Sequence, residues 1–118
     1  RTVFIGKPKG EDIKIYNKVL DVQQEAIKNN LNPKDLHNIA QKKLGKYLTH
    51  SLGHGIGLDV HELPQISSLS KERFKENMVF TIEPGYYKKF GIRIEDVVLY
   101  KSNKKILLTK SPKYLLNI

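Results

Sequence analysis

The sequence predicts a single α+β domain in which two helices are followed by an antiparallel sheet. Apolar residues recur at helical spacing from Glu11 to about Asn30, and again up to a stop at Gly45. From Met78 onward the period changes to two, and Pro-Gly and glycine-bearing breaks separate the extended runs. With 118 residues the chain has room for one modest core and no second domain.

Arg1-Thr-Val-Phe-Ile5 reads as a short extended run that starts abruptly, as if chain preceded it, and it ends in a turn over Gly6–Gly10. In the first helix Ile13, Tyr16, Leu20 and Ile27 follow helical spacing with Val19, Val22 and Ala26 beside them, and Glu11 and Asp12 suit its positive end. Asn29-Asn30 closes it. The second helix has a clear start: Asn32 caps it, Pro33 fits the first turn, and Asp35 stands where a capping box places an acid. Leu36, Ile39, Ala40 and Leu44 form its buried stripe, and His37, one position past Leu36, reads as a surface histidine. Both helices read as scaffold.

The segment His50–Glu62, His-Ser-Leu-Gly-His-Gly-Ile-Gly-Leu-Asp-Val-His-Glu, holds three of the four histidines with Gly53, Gly55 and Gly57 between them. Glycines so dense are costly in a helix, at roughly 1 kcal/mol each relative to alanine, so a loop or irregular strand is expected. Imidazoles offer neutral nitrogen ligands or proton donors near neutral pH. The run Met78–Glu83 then reads as a strand broken by Pro84-Gly85, followed by Tyr86-Tyr87 and a turn over Lys88–Gly91. From Ile92 to Tyr100 one continuous strand is expected, with Ile92, Ile94, Asp96, Val98 and Tyr100 on one face and Arg93, Glu95, Val97 and Leu99 on the other. A turn at Ser102–Lys105 and a last strand, Ile106–Thr109, complete the sheet. Glu83 and Glu95 interrupt otherwise apolar strands, where a carboxylate is expensive unless a cation or hydrogen bonds compensate it. Solvent exposure with a lysine partner for Glu95, or an edge-strand charge for Glu83, is the plain alternative. With the histidine segment, the two acids outline a metal site.

Composition excludes several classes. Cysteine is absent, so disulfides and thiolate metal sites are ruled out, in keeping with a reducing, cytoplasmic setting. No apolar run approaches the roughly 20 residues that span a bilayer, so no membrane partner is expected. The formal charge is +9, but it comes from eighteen scattered lysines and three arginines without aromatic readers, which points to a solvated surface and not to nucleic acid.

Three blocks, Thr49–Glu62, Phe80-Thr-Ile-Glu-Pro-Gly-Tyr86 and Gly91-Ile-Arg-Ile-Glu-Asp96, closely resemble the pita-bread metallopeptidases, the family of methionine aminopeptidase, aminopeptidase P and prolidase. They occur in the family's order and at fitting intervals. The histidine at His50 and the Arg-Ile-Glu-Asp ending resemble the proline-specific branch. The resemblance covers nearly the whole chain, residues 1–118, as the C-terminal half of a pita-bread catalytic domain. It implies a pair of divalent metals held by two aspartates, one histidine and two glutamates. His54 matches the histidine ligand, Glu83 one glutamate and Glu95 the glutamate that bridges the metals. His50 and His61 match histidines that contact substrate and stabilise the tetrahedral intermediate, and Arg93 matches an arginine that orients the bridging carboxylate.

Oxygen-rich ligation with one imidazole suits manganese first, with cobalt, zinc or iron as alternatives. The implied reaction is hydrolysis of the bond between an N-terminal residue and proline, by an Xaa-Pro aminopeptidase acting on a peptide with proline second or by an Xaa-Pro dipeptidase, in either case a homodimer when complete. The family's two aspartates would precede Arg1. None of Asp12, Asp21, Asp35, Asp59 or Asp96 is placed to replace them, so these residues alone are expected to be inactive. Competing readings are a pseudo-peptidase kept as a protein-binding module, a lysine-rich nucleic-acid surface, and methionine aminopeptidase-like or creatinase-like chemistry, because a fold does not fix its substrate.

Overall fold

The computed structural model describes residues 1–118. Its elements run β1 (Val3–Phe4), α1 (Gly10–Lys28), α2 (Pro33–Leu44), a 3₁₀ turn (Gly45–Tyr47), β2 (Gly53–Gly55), β3 (Glu62–Ile66), β4 (Val79–Ile82), β5 (Gly85–Tyr87), β6 (Gly91–Arg93), β7 (Asp96–Lys101), β8 (Lys104–Leu107) and β9 (Leu116–Asn117). A five-stranded antiparallel sheet has the order β3-β2-β4-β7-β8, and two two-stranded pairs, β1 with β9 and β5 with β6, flank it. The α+β expectation, two helices and then an antiparallel sheet, holds. No helix is long and apolar enough to cross a membrane.

Capping determines where the helices begin. At α1, the Lys9 N–H donates to Asp12 Oδ2 at 2.7 Å; at α2, the Asp35 N–H donates to Asn32 Oδ1 at 2.9 Å. Gly45 ends α2 with φ +62°, a conformation that glycine adopts without strain. The buried stripe of α1 is Tyr16, Val19, Val22, Gln23 and Ala26, whereas Ile13 lies at the exposed margin. On α2 the buried set is wider than the apolar pattern, because it includes His37. The reading of His37 as a surface residue is therefore corrected. It is only 7% exposed, and it lies one step around the helix from Leu36 and Ala40, where the Leu48–Ser51 and Ser67–Leu69 segments cover it.

The glycines of the histidine segment serve a central strand. A Cβ on Gly53 would collide with the Thr81 carbonyl, and one on Gly55 with the Leu63 carbonyl, so only glycine lets β2 sit between β3 and β4. Strand β3, over a cis Leu63–Pro64 bond, and β9 are not apparent in the sequence pattern. Nor is β5: the Pro-Gly break is followed at once by a hairpin in which Gly85 pairs Arg93 and Tyr87 pairs Gly91. The single strand expected over Ile92–Tyr100 is two. Strand β6 pairs with β5, the chain changes sheets at Ile94-Glu95, and β7 pairs with β4 and β8. The alternation survives the break, with Ile92, Ile94, Asp96 and Val98 buried. Ser102 and Asn103, with φ +52° and +60°, make the two-residue turn between β7 and β8.

Asp96 is the buried charge of this layer, fully inaccessible and in contact with three donors. Arg1 Nη2 and Lys113 Nζ each lie 2.6 Å from a carboxylate oxygen, and Gln23 Nε2 donates to Oδ2. Burial raises the Asp96 pKa, but the bonds from Lys113, Arg1 and Gln23 outweigh it and hold the carboxyl below its ordinary value. The pairing ties the first residue, α1, β7 and the C-terminal segment together.

Candidate metal site

The histidine segment, Glu83 and Arg93 border an open cavity of about 870 Å³, lined almost entirely by polar residues. His50, His54, His61, Glu83 and Arg93 all face it. Glu83 follows β4 directly; its N–H donates to the Leu52 carbonyl at 2.8 Å, and the residue is 7% exposed. It is a buried site acid and not an edge-strand charge.

Thr81, two positions earlier on the same face of β4, joins the two candidate ligands. Its Oγ1 accepts from the His54 N–H at 3.0 Å and donates to Glu83 Oε1 at 3.0 Å. Arg93 Nη1 lies 3.3 Å from Glu83 Oε2, and Arg93 Nε donates to the Tyr87 hydroxyl at 2.7 Å. The carboxylate of Glu83 is thus held from both sides.

The His54 ring is oriented in turn. Nδ1 lies 2.9 Å from the Gly55 carbonyl, which can only accept, so Nδ1 carries a proton and Nε2 is the nitrogen turned towards Glu83. Nε2 lies 3.3 Å from Glu83 Oε1. A positive charge joins such a pair, either a proton on Nε2 or a cation, and the two side chains together offer one nitrogen and one carboxylate donor of the kind a divalent cation takes. His54 and Glu83 therefore suit one imidazole and one carboxylate of a metal centre. No group of three or more histidine, cysteine, aspartate or glutamate side chains converges to complete it in this chain.

The flanking histidines sit on either side. The His61 ring centroid is 4.2 Å from that of His54. His50 donates from Nδ1 to the Ser51 carbonyl at 2.7 Å and stands edge-on to Tyr87, with centroids 5.5 Å apart. Gly85 leaves room for both rings, since a Cβ there would come within 2.7 Å of His50 Nε2 and 2.6 Å of the Tyr87 hydroxyl.

Glu95 is not brought into this cluster. It occupies the crossover between β6 and β7, its carbonyl accepts from Arg1 Nη1, and it does not line the cavity. Arg93 contacts Glu83 and not Glu95, so whatever carboxylate it orients in this chain is Glu83. Motifs alone do not single out Thr81 or Tyr87. The signal for Thr81 is its place two residues before Glu83 in a run of period two; Tyr87, beyond a Pro-Gly break, carries none.

Comparison with known proteins decides the family. The model of metallopeptidase family M24 matches residues 1–102. The chain belongs to metallopeptidase family M24. It is 44% identical over 126 residues to the Xaa-Pro dipeptidase of Pyrococcus furiosus, covering 98% of this chain and 36% of that protein. Among solved structures it matches the X-Pro aminopeptidase of Thermotoga maritima with a TM-score of 0.93 and 40% identity, over all of this chain and 36% of that one. It also matches the X-prolyl aminopeptidase of Caenorhabditis elegans, described as a cytosolic enzyme with a di-nuclear active site, with a TM-score of 0.70 and 30% identity over 80% of this chain and 17% of that one. The M24 chain thus spans about a third of the length of the curated relatives it matches. Its pita-bread fold is that of prolidases and X-Pro aminopeptidases.

Proposed function

We propose that this M24 chain contributes the histidine-bearing part of the catalytic domain of a metal-dependent exopeptidase that cleaves between an N-terminal residue and proline. The observation that carries the reading is the His54–Glu83 pair, an imidazole nitrogen and a carboxylate oxygen 3.3 Å apart in the cavity wall, each oriented by its own hydrogen bonds. The similarity to an Xaa-Pro dipeptidase and an X-Pro aminopeptidase supports proline as the second residue of the substrate.

His54, Glu83 and, in the complete site, Glu95 would hold two divalent ions, with manganese first among them. Such a pair, when bound, supplies an acidified water as nucleophile and polarises the scissile carbonyl. The chain's own residues prepare that chemistry. Thr81 and Arg93 fix both oxygens of Glu83, so its donor geometry is set before substrate arrives. Next to His54 at the cavity mouth, His61 is placed to donate a hydrogen bond to the oxygen on which negative charge develops. On the cavity wall His50, braced edge-on by Tyr87, is placed to contact the substrate.

With only two adjoining donors, these 118 residues alone are inactive. We propose further that the complete enzyme is a homodimer with no nucleic-acid or membrane partner and a cytoplasmic setting. The last is supported by the absence of cysteine and by the cytosolic relative from Caenorhabditis elegans.

The test is hydrolysis of an Ala-Pro peptide beside a Met-Ala peptide by the complete gene product, with manganese and then with a chelator. Metal-dependent cleavage confined to the Xaa-Pro bond is expected. Failure to cleave either peptide, with no bound metal, would replace the proposal with a protein-binding role.

A further inference from the structure

A cleft of about 330 Å³ lies where the C-terminal end of α1 meets the turn from β7 into β8, and it shares no residue with the candidate metal cavity. The charged residues that line it are all lysines, Lys28, Lys104 and Lys105, with no aspartate or glutamate among them. The Tyr100 hydroxyl ties the two walls together, 3.2 Å from Asn30 Oδ1 on one side and 2.6 Å from Asn103 Oδ1 on the other. Lysines as the only charges around a concave surface draw anions into it.

Lys105 differs from the other two. Lys28 and Lys104 are exposed, whereas Lys105 is partly buried; its Nζ donates to the Asn29 carbonyl and stands 5.2 Å from the centre of the Phe74 ring. It enters no ion pair, since no carboxylate comes within reach of it. An ammonium placed in this way gives up hydration without gaining a counter-charge, and burial lowers the Lys105 pKa from 10.5 to about 8. The Asn29 carbonyl takes only one N–H, so the neutral amine keeps that bond and has a lone pair left over as a nucleophile. The combination of an anion-drawing cleft and a nucleophilic amine in its wall suits an acyl group carried on an anionic leaving group.

We propose that Lys105 is an acylation site for small acyl phosphates, which Lys28 and Lys104 guide into the cleft between α1 and β8. The Lys105 nitrogen attacks the acyl carbon and forms the new C–N bond. The bond from that carbon to the bridging phosphate oxygen breaks, inorganic phosphate leaves with the electron pair, and the nitrogen gives up one proton to water. The amide that results still has an N–H for the Asn29 carbonyl, so the product strands no buried acceptor. Acylation removes one of the three positive charges from the cleft.

The experiment treats the complete gene product with acetyl phosphate near neutral pH and follows the initial rate of acetylation at each lysine by peptide mass spectrometry. The uncharged acetyl ester of N-hydroxysuccinimide serves as a second reagent, and both are applied to the Lys28→Gln/Lys104→Gln double variant, whose altered positions are exposed. With either reagent Lys105 should outpace the median lysine by about tenfold, because far more of it is neutral even though its lone pair is less basic. In the double variant its rate with acetyl phosphate should fall by at least about threefold while its rate with the ester stays within about twofold, since only the anionic reagent feels the lost charges. A Lys105 rate with acetyl phosphate no faster than the median would overturn the proposal. So would a double variant that leaves the acetyl phosphate rate in place, or one that lowers both reagents' rates alike.

Discussion

Replacing Asp96 with alanine tests whether the buried ion network holds the domain together. The carboxylate is wholly inaccessible, while the Arg1 and Lys113 side chains are 12% and 22% exposed, so removing the acid leaves two poorly hydrated cations without their counter-charge and the Gln23 N–H without its acceptor, although Arg1 keeps backbone carbonyls and Lys113 the Gln23 oxygen as acceptors. Breaking a buried ion pair from one side costs about 3–5 kcal/mol. A domain of this size is stable by about 5–15 kcal/mol in all. At roughly 4 °C per kcal/mol, intermediate between small and larger domains, Asp96→Ala should lower Tm by about 12–20 °C.

The pH dependence has a definite sign. The folded-state pKa of Asp96 lies below its ordinary value of 3.8, so the carboxylate contributes fully above that value, where it is ionised in both states. As pH falls below it, the unfolded chain takes up the proton first and the contribution is lost progressively as pH passes through the folded pKa. Urea unfolding of wild type and variant across this range should therefore give a constant difference near neutrality that shrinks only under strongly acid conditions. A Tm within about 2 °C of wild type, far inside the shift expected for a lost buried pair, would refute the role given to the network. So would a difference that does not change with acid.

Other substitutions read the candidate site. Gly53→Ala should destabilise by at least about 1–3 kcal/mol in chemical denaturation, because the new methyl meets the Thr81 carbonyl in a closed sheet. Thr81→Val strands the His54 N–H and frees one oxygen of Glu83, so turnover of an Ala-Pro peptide by the complete gene product should fall by about 10- to 100-fold, with weaker metal retention in a chelator titration. His61→Ala should keep its metal by elemental analysis and lower kcat, since His61 stands beside His54 without bonding Glu83. Glu95→Gln should abolish activity in the complete gene product if Glu95 swings from its crossover into the metal cluster; near-normal turnover would remove it from the ligand set.

How legible each feature is in the sequence depends on the range of the interactions that make it. The caps of α1 and α2, the glycine stop and the alternation through Ile92–Val98 are contacts among residues a few positions apart, and period and capping chemistry report them directly. The burial of His37 is not legible because the segments around it, Leu48–Ser51 and Ser67–Leu69, belong to other parts of the chain, and an amphipathic pattern on one helix carries no trace of what packs against its margin. The break at Ile94-Glu95 is hidden for the same reason: an alternating run looks identical whether its two halves pair within one sheet or cross to another. Glu95 carries the same limit into the site. Its place in a motif suggests a metal ligand, yet it lies where a sheet crossover puts it, while Thr81 and Tyr87, which no motif singles out, hold the groups that face the cavity. Glu83 owes its geometry to a threonine on its own strand and to an arginine brought in by the β5–β6 hairpin, so the chemistry of this acid is set by sheet pairing as much as by the motif that contains it.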